Sequence, residues 1–297
     1  MDAMPIVSSV QARRLTGIFW SWIVAADDTM GDTMRAEGPD AAGRSSQGLV
    51  ALISQWHKWA IWMGAVTLIA WAFLAWLVVD MSHPFAQLTM PDSSRWTMPN
   101  SLAIYAMWAV MMAAMMLPSA LPMVLTFLSM GKRSGDTARG HGFVGAYLCV
   151  WFAFSAAATA AQWLLQWLGW VNPMLVSTSA VLTGVLLLIA GIYQFSSLKR
   201  ICLSRCRTPF AFLLGEWRDG VAGAFRMGIR HGLYCMGCCW ALMALLFVGG
   251  VMNLTWIAAL SLAVAMEKML PGGERIATAL GIVLIAVGSI KLLTLAA

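Results

Sequence analysis

Charge is scarce in this chain. Of its 297 residues only 13 are acidic and 19 basic, 11% together, against 60% that are hydrophobic. A soluble domain carries about a quarter charged residues, so this shortage excludes a water-soluble globular fold. The basic residues sit in loop clusters and form no long face interleaved with aromatics, which excludes nucleic acid as a partner. Catalytic signatures are missing too. There is no glycine-rich nucleotide loop, no His-Glu-x-x-His pair and no Ser/His/Asp pattern. The aspartyl-phosphate motif of an ATP-driven pump is also missing. Whether the chain is an enzyme stays open, with the balance against it. The short alternating strands of a transmembrane barrel are not seen either.

What the chain does have is apolar runs, several long enough for a bilayer core of about 30 Å. They predict an all-α, polytopic helical membrane protein with spans at 59–79, 101–128, 142–168, 174–195, 232–252, 254–269 and 276–295. That makes seven, or six if the short run 254–269, which ends in Glu267-Lys268, is not one. Pro118 and Pro122 remove backbone donors from the second span and predict a kink there. Residues 1–48 read as an N-terminal extension. Its apolar stretch 15–26 follows Arg13-Arg14 and is too short to span, which suits an interfacial helix or docking arm. Residues 49–297 read as the helical membrane domain. Within it, 209–230 mixes Phe210, Phe212, Leu213, Leu214, Trp217 and Phe225 with Arg218, Asp219 and Arg226, the pattern of an amphipathic helix on the inner leaflet.

The net charge of +6 is a topology signal. The N-terminal region, the loop with Lys132, Arg133 and Arg139, and the segment 196–230 with Lys199, Arg200, Arg205, Arg207, Arg218, Arg226 and Arg230 fall on one side when the spans alternate. The opposite side receives 80–100, with Arg95 as its one basic residue. The positive-inside rule makes the basic side the cytoplasm, with the N-terminus and 196–230 on it, and the membrane the inner membrane of a bacterium.

Five of the six cysteines lie between Cys202 and Cys239, in the cysteine-rich segment 196–239. On a helix, at about 100° per residue, His231, Cys235, Cys238 and Cys239 share one arc of about 100°. Cys202 and Cys206, four apart, share a face of the preceding segment. On a reducing face such thiols bind metal as thiolates, and soft ligands select Cu(I), Zn(II) or an iron–sulfur cluster, with Cu(I) leading. A redox pair between the two groups, or plain helix packing by small residues, are the alternatives.

Methionine is plentiful, at 22 residues. In the second span Met107, Met111 and Met115, with Met112 and Met116 beside them, make two i,i+4 ridges. They spread over about 180° of the helix. Met111 and Met115 are the candidate thioether ligands, and Met81 and His83, beside Asp80, a candidate capture point at the outer mouth of the first span. Methionine also fills irregular helix interfaces, which is the plainer reading. Thioether outside and thiolate inside would keep a Cu(I) ion in soft ligands on both sides of the membrane. Glu267 and Lys268 read as an interfacial pair, with a proton relay as the alternative. Gly228 and Gly232, four apart, permit close helix contact.

The stretch 107–120 (MWAVMMAAMMLPSA), the stretch 230–243 (RHGLYCMGCCWALM) and the linking Tyr193, Gln194, Phe195, Lys199, Cys202 and Cys206 resemble the signature regions of a bacterial family of predicted metal-binding integral membrane proteins, a domain of unknown function. The resemblance covers about residues 55–295 and implies an all-helical membrane fold and metal binding at the matching cysteines. The leading reading is therefore a Cu(I)-handling inner-membrane protein, a transporter or chaperone, with the lipid bilayer and a soluble metallochaperone as partners. The alternatives are an accessory subunit of a larger membrane complex, docked through residues 1–48, and a membrane thiol oxidoreductase.

Overall fold

An apolar run away from water must pair its own backbone, and a helix does so within one segment. The computed structural model describes the backbone of residues 39–91, 96–131, 137–174 and 176–296. Eleven helices follow one another there: α1 (Pro39–Val79), α2 (Pro84–Thr89), α3 (Met98–Met130), α4 (Thr137–Trp167), α5 (Ala180–Gln194), α6 (Ser197–Arg207), α7 (Pro209–Glu216), α8 (Gly220–Ala244), α9 (Leu246–Gly249), α10 (Leu254–Met269) and α11 (Gly273–Ala296). Among the described residues there is no β-strand, only two isolated bridges, Val171 to Ser177 and Val176 to Gly249. The apolar stretch expected as an arm at 15–26, with Arg95, Lys132 and Arg133, lies outside the described residues. The chain divides into two compact units, 1–55 and 56–297, and the second holds every cysteine.

Among the described residues five helices are long and apolar enough to cross a membrane: Trp56–Val79, Met98–Met130, Thr137–Trp167, Gly220–Gly249 and Gly273–Leu295. A sixth is counted if Ala180–Gln194 and Ser197–Arg207, bent by 64°, form one broken span. The run 254–269, expected as the sixth of seven spans, is α10; it has 16 residues and rises about 24 Å, short of a bilayer core, which leaves the count of six. The expected span 174–195 is also shorter, because Ser179 caps α5 by accepting the Leu182 N–H at 3.3 Å. The segment 209–230 is not one surface helix. It breaks at Trp217, where α7 ends, and α8 starts at Gly220, whose φ of +77° a side chain would strain. The two-faced character survives within α7, where Phe212 and Leu213 are buried while Phe210 and Leu214 face outward.

Pro118 and Pro122 sit inside α3 without ending it. The missing N–H of Pro118 leaves the Ala114 carbonyl without its helical donor, and the indole N–H of Trp71 on α1 takes it at 3.2 Å. Helices α4 and α8 pack closely because Gly228 and Gly232 remove side chains from the contact. A Cβ on Gly228 would stand 2.2 Å from the Phe143 carbonyl oxygen, and one on Gly232 2.9 Å from Val150. A second close pair, α5 with α11, uses Gly184, Gly191, Gly281 and Gly288 in the same way. These two contacts fix α8 against α4 and α5 against α11. The thiols hang from α6 and α8.

Candidate metal centre

Helix α6 brings Cys202 and Cys206 toward α8, which carries Cys235, Cys238 and Cys239. The three α8 thiols and Cys202 are buried, Cys206 is half-buried, and all five are reduced. The Cys206 thiol neighbours those of Cys235 and Cys238, and Cys239 neighbours the same two. Four sulfurs therefore gather in one place. Cys202 lies at the edge of this group, near Cys238. Its Sγ lies against the bare Cα of Gly237, where a Cβ would come within 2.8 Å. The Tyr193 hydroxyl donates to the Gly237 carbonyl at 2.5 Å, which ties the end of α5 to the same turn of α8.

The sulfurs make specific contacts. Cys238 and Cys239 each donate to the Cys235 carbonyl oxygen at 3.0 Å, using the carbonyl one turn back. The Cys235 Sγ lies 3.1 Å from the Tyr147 hydroxyl of α4, and that hydroxyl donates to the Met116 carbonyl at 3.1 Å. The Lys268 ammonium of α10 reaches into the group. Its Nζ donates to Cys235 Sγ at 3.0 Å and to Ser119 Oγ at 3.4 Å, and it lies 3.9 Å from Met116 Sδ and 4.0 Å from Cys239 Sγ. Five helices thus meet at one point: α3, α4, α6, α8 and α10. Among the described residues no three His, Cys, Asp or Glu side chains stand in a ready coordination geometry, since two thiols are turned onto a carbonyl and an ammonium stands beside the third.

His231, one turn before Cys235, is buried between Phe143, Tyr147 and Phe212, with ring centroids 6.0, 5.5 and 5.8 Å away. Its Nδ1 is buried without a hydrogen-bond partner, the condition of a nitrogen available to a soft metal. Met111 and Met115 are buried on α3 along with Met107, Met112 and Met116, and it is the Met116 sulfur that stands 3.9 Å from the Lys268 ammonium. Met81 and His83 lie elsewhere. They follow α1, His83 is exposed, and its Nδ1 accepts the Phe85 N–H at 3.2 Å to cap α2. Asn100, near the start of α3, donates to the Leu88 carbonyl at the end of α2. From Asn100 to Met116 is 16 residues along the helix, about 24 Å, so this pair is not brought to the thiols.

Glu267 and Lys268 are not an interfacial pair. Both are buried, and neighbours on a helix point about 100° apart. Glu267 faces α5 and α6, accepting from Lys199 Nζ at 2.6 Å and from Gln194 Nε2 at 3.0 Å. Lys268 faces the thiols. At the C-terminal end of α10 the Arg207 guanidinium donates to the Leu270 carbonyl at 2.8 Å, so α6 is held to α10 at two points. Sequence reading missed Lys268, Tyr147 and Met116 as members of the site. The available signal was Lys268 itself, an ionisable residue in an apolar helix, which is a functional candidate by default.

The family described as copper chaperone (PpoB2) matches residues 105–291. That stretch takes in the four gathered thiols, Met116, Tyr147, Lys199, Glu267 and Lys268. No curated protein and no solved structure matches the chain. The family match covers more than half of the sequence, and the chain belongs to the PpoB2 copper chaperone family.

Proposed function

We propose that this chain is a membrane-embedded carrier of Cu(I), with Cys206, Cys235, Cys238 and Cys239 as its main cargo site. The observation that carries the reading is the convergence of these four thiols from two helices, with the Met116 thioether against the same Lys268 ammonium that contacts Cys235 and Cys239. Thiolate and thioether are the donors that select a soft monovalent ion, and the orphaned Nδ1 of His231 fits a supporting ligand. Turning χ1 of Cys238 and Cys239 frees their sulfurs from the Cys235 carbonyl, and binding releases the protons of the two thiols that ligate as thiolates. Cys202, against Gly237, is an outer neighbour of the site.

Copper moves between such donors by exchange, one sulfur entering as another leaves. Met107, Met111 and Met115 stand about 6 Å apart along α3, as do Met112 and Met116, which suits a relay ending at the thiols. Met81 and His83 would be a capture point at the far end of α3. The basic segment 196–230 argues for the thiol end facing the cytoplasm of a bacterial inner membrane, where a soluble metallochaperone meets it. Residues 1–48 would serve as an N-terminal docking extension, and 49–297 as the carrier domain. The test is copper per chain after purification in detergent under reducing conditions with Cu(I) supplied. Wild type should hold about one ion, and Cys235→Ser/Cys238→Ser close to none. Equal copper in both, or none in wild type, sinks the reading.

A further inference from the structure

The buried charges of the described residues do not balance. Among Lys, Arg, Asp and Glu, the buried ones are Lys199, Glu267 and Lys268. Lys199 and Glu267 pair at 2.6 Å and cancel. Among the described residues Lys268, 8% exposed, has no carboxylate within 4 Å; its hydrogen-bond contacts there are Cys235, Cys239, Met116 and Ser119. An ammonium in that setting is costly unless an anion stands beside it. The groups able to supply the negative charge there are the sulfurs.

We infer that Lys268 is the built-in counter-charge of the cargo site and sets its preference for a monovalent ion. This rests on the proposed thiolate site. The charge count is simple. With Cys206 and Cys238 still protonated, a monovalent ion between the Cys235 and Cys239 thiolates forms a unit of charge −1, and Lys268 makes the whole neutral. Zn(II) between the same thiolates is already neutral, and Lys268 then stands as an uncompensated buried cation beside a second one. The low-dielectric surroundings amplify that difference. The ammonium also holds Cys235 Sγ by hydrogen bond before cargo arrives, so the sulfur is positioned while the site is empty of metal. Lys268 is a specificity-determining residue here, and it does not need to touch the ion.

The experiment compares wild type, Lys268→Met, Lys268→Gln and Lys268→Arg in detergent, titrated with Cu(I) against a chromophoric Cu(I) chelator and with Zn(II) against a chromophoric Zn(II) chelator. Loss of a hydrogen bond to a charged group predicts Cu(I) binding about 10- to 100-fold weaker in the Met and Gln variants. Zn(II) binding should be unchanged or tighter, and the Arg variant should stay close to wild type for both ions. Lys268→Gln keeps a polar group without the charge, and it carries the test if Lys268→Met does not purify as a single species. An unchanged ratio of Cu(I) to Zn(II) affinity in the neutral variants overturns the inference, including the case where both fall together. A wild type that binds no Cu(I), or a Cys235→Ser/Cys239→Ser variant that binds it as well as wild type, instead removes the cargo site on which the inference stands.

Discussion

Replacing Glu267 by Met separates the charges that hold α6 to α10. Glu267 accepts from Lys199 at 2.6 Å and Gln194 at 3.0 Å, and both members of the ion pair are almost fully buried. Removing one partner of a buried pair leaves the other charge uncompensated and costs about 3–5 kcal/mol. For a domain of this size that is a fall in Tm of roughly 6–20 °C. Lys199→Met should cost a similar amount for the same reason. The double variant is the informative one, because a buried pair replaced by apolar side chains of like volume is neutral or better. It still orphans the Gln194 amide donor, at about 1–3 kcal/mol, so it should regain about 2 kcal/mol over either single variant. The assay is thermal unfolding of the four proteins in one detergent, followed by intrinsic fluorescence of the tryptophans. If the double variant loses as much as the two single losses added, Lys199 and Glu267 are not coupled and the charge count around Lys268 fails with them.

Cys206→Ser should lose most bound copper whereas Cys202→Ser keeps it, because Cys206 adjoins the α8 thiols and Cys202 faces Gly237; copper per chain decides. Gly228→Ala places a Cβ 2.2 Å from the Phe143 carbonyl oxygen, so α4 and α8 must part by about 1 Å to reach ordinary contact. It should cost about 1–3 kcal/mol, read as a lower Tm, and a change under 0.5 kcal/mol contradicts the packing. Trp71→Phe removes the donor to the Ala114 carbonyl and should cost about 1–3 kcal/mol in the same unfolding assay.

The helical architecture was legible because apolar runs of this length and a shortage of charge admit few other structures. The exact number of crossings was not. Met174 to Ser179 read as apolar enough to extend α5, yet the Ser179 cap starts the helix at Ala180. The thiol group was legible from spacing, since i, i+3 and i+4 positions share a helix face wherever the helix lies. Which methionine meets the Lys268 ammonium beside it was not, because Met111, Met115 and Met116 are all apolar positions on α3 and only the rotation of α3 against α8 and α10 picks Met116. Lys268 was misread for a related reason. A charged pair at the end of a short apolar run looks interfacial, and the partner that claims Glu267 is Lys199, 68 positions away in the chain. Tyr147 joins Cys235 across 88 positions, and no local pattern announces it.

In the proposed site copper is held by sulfur from Cys206, Cys235, Cys238 and Cys239. X-ray absorption at the copper edge of the loaded wild-type protein tests it most directly. Sulfur should dominate the atoms bound to Cu(I), and that signal should be lost in Cys235→Ser/Cys239→Ser. A first shell of nitrogen and oxygen, or the same sulfur shell in the double variant, contradicts it.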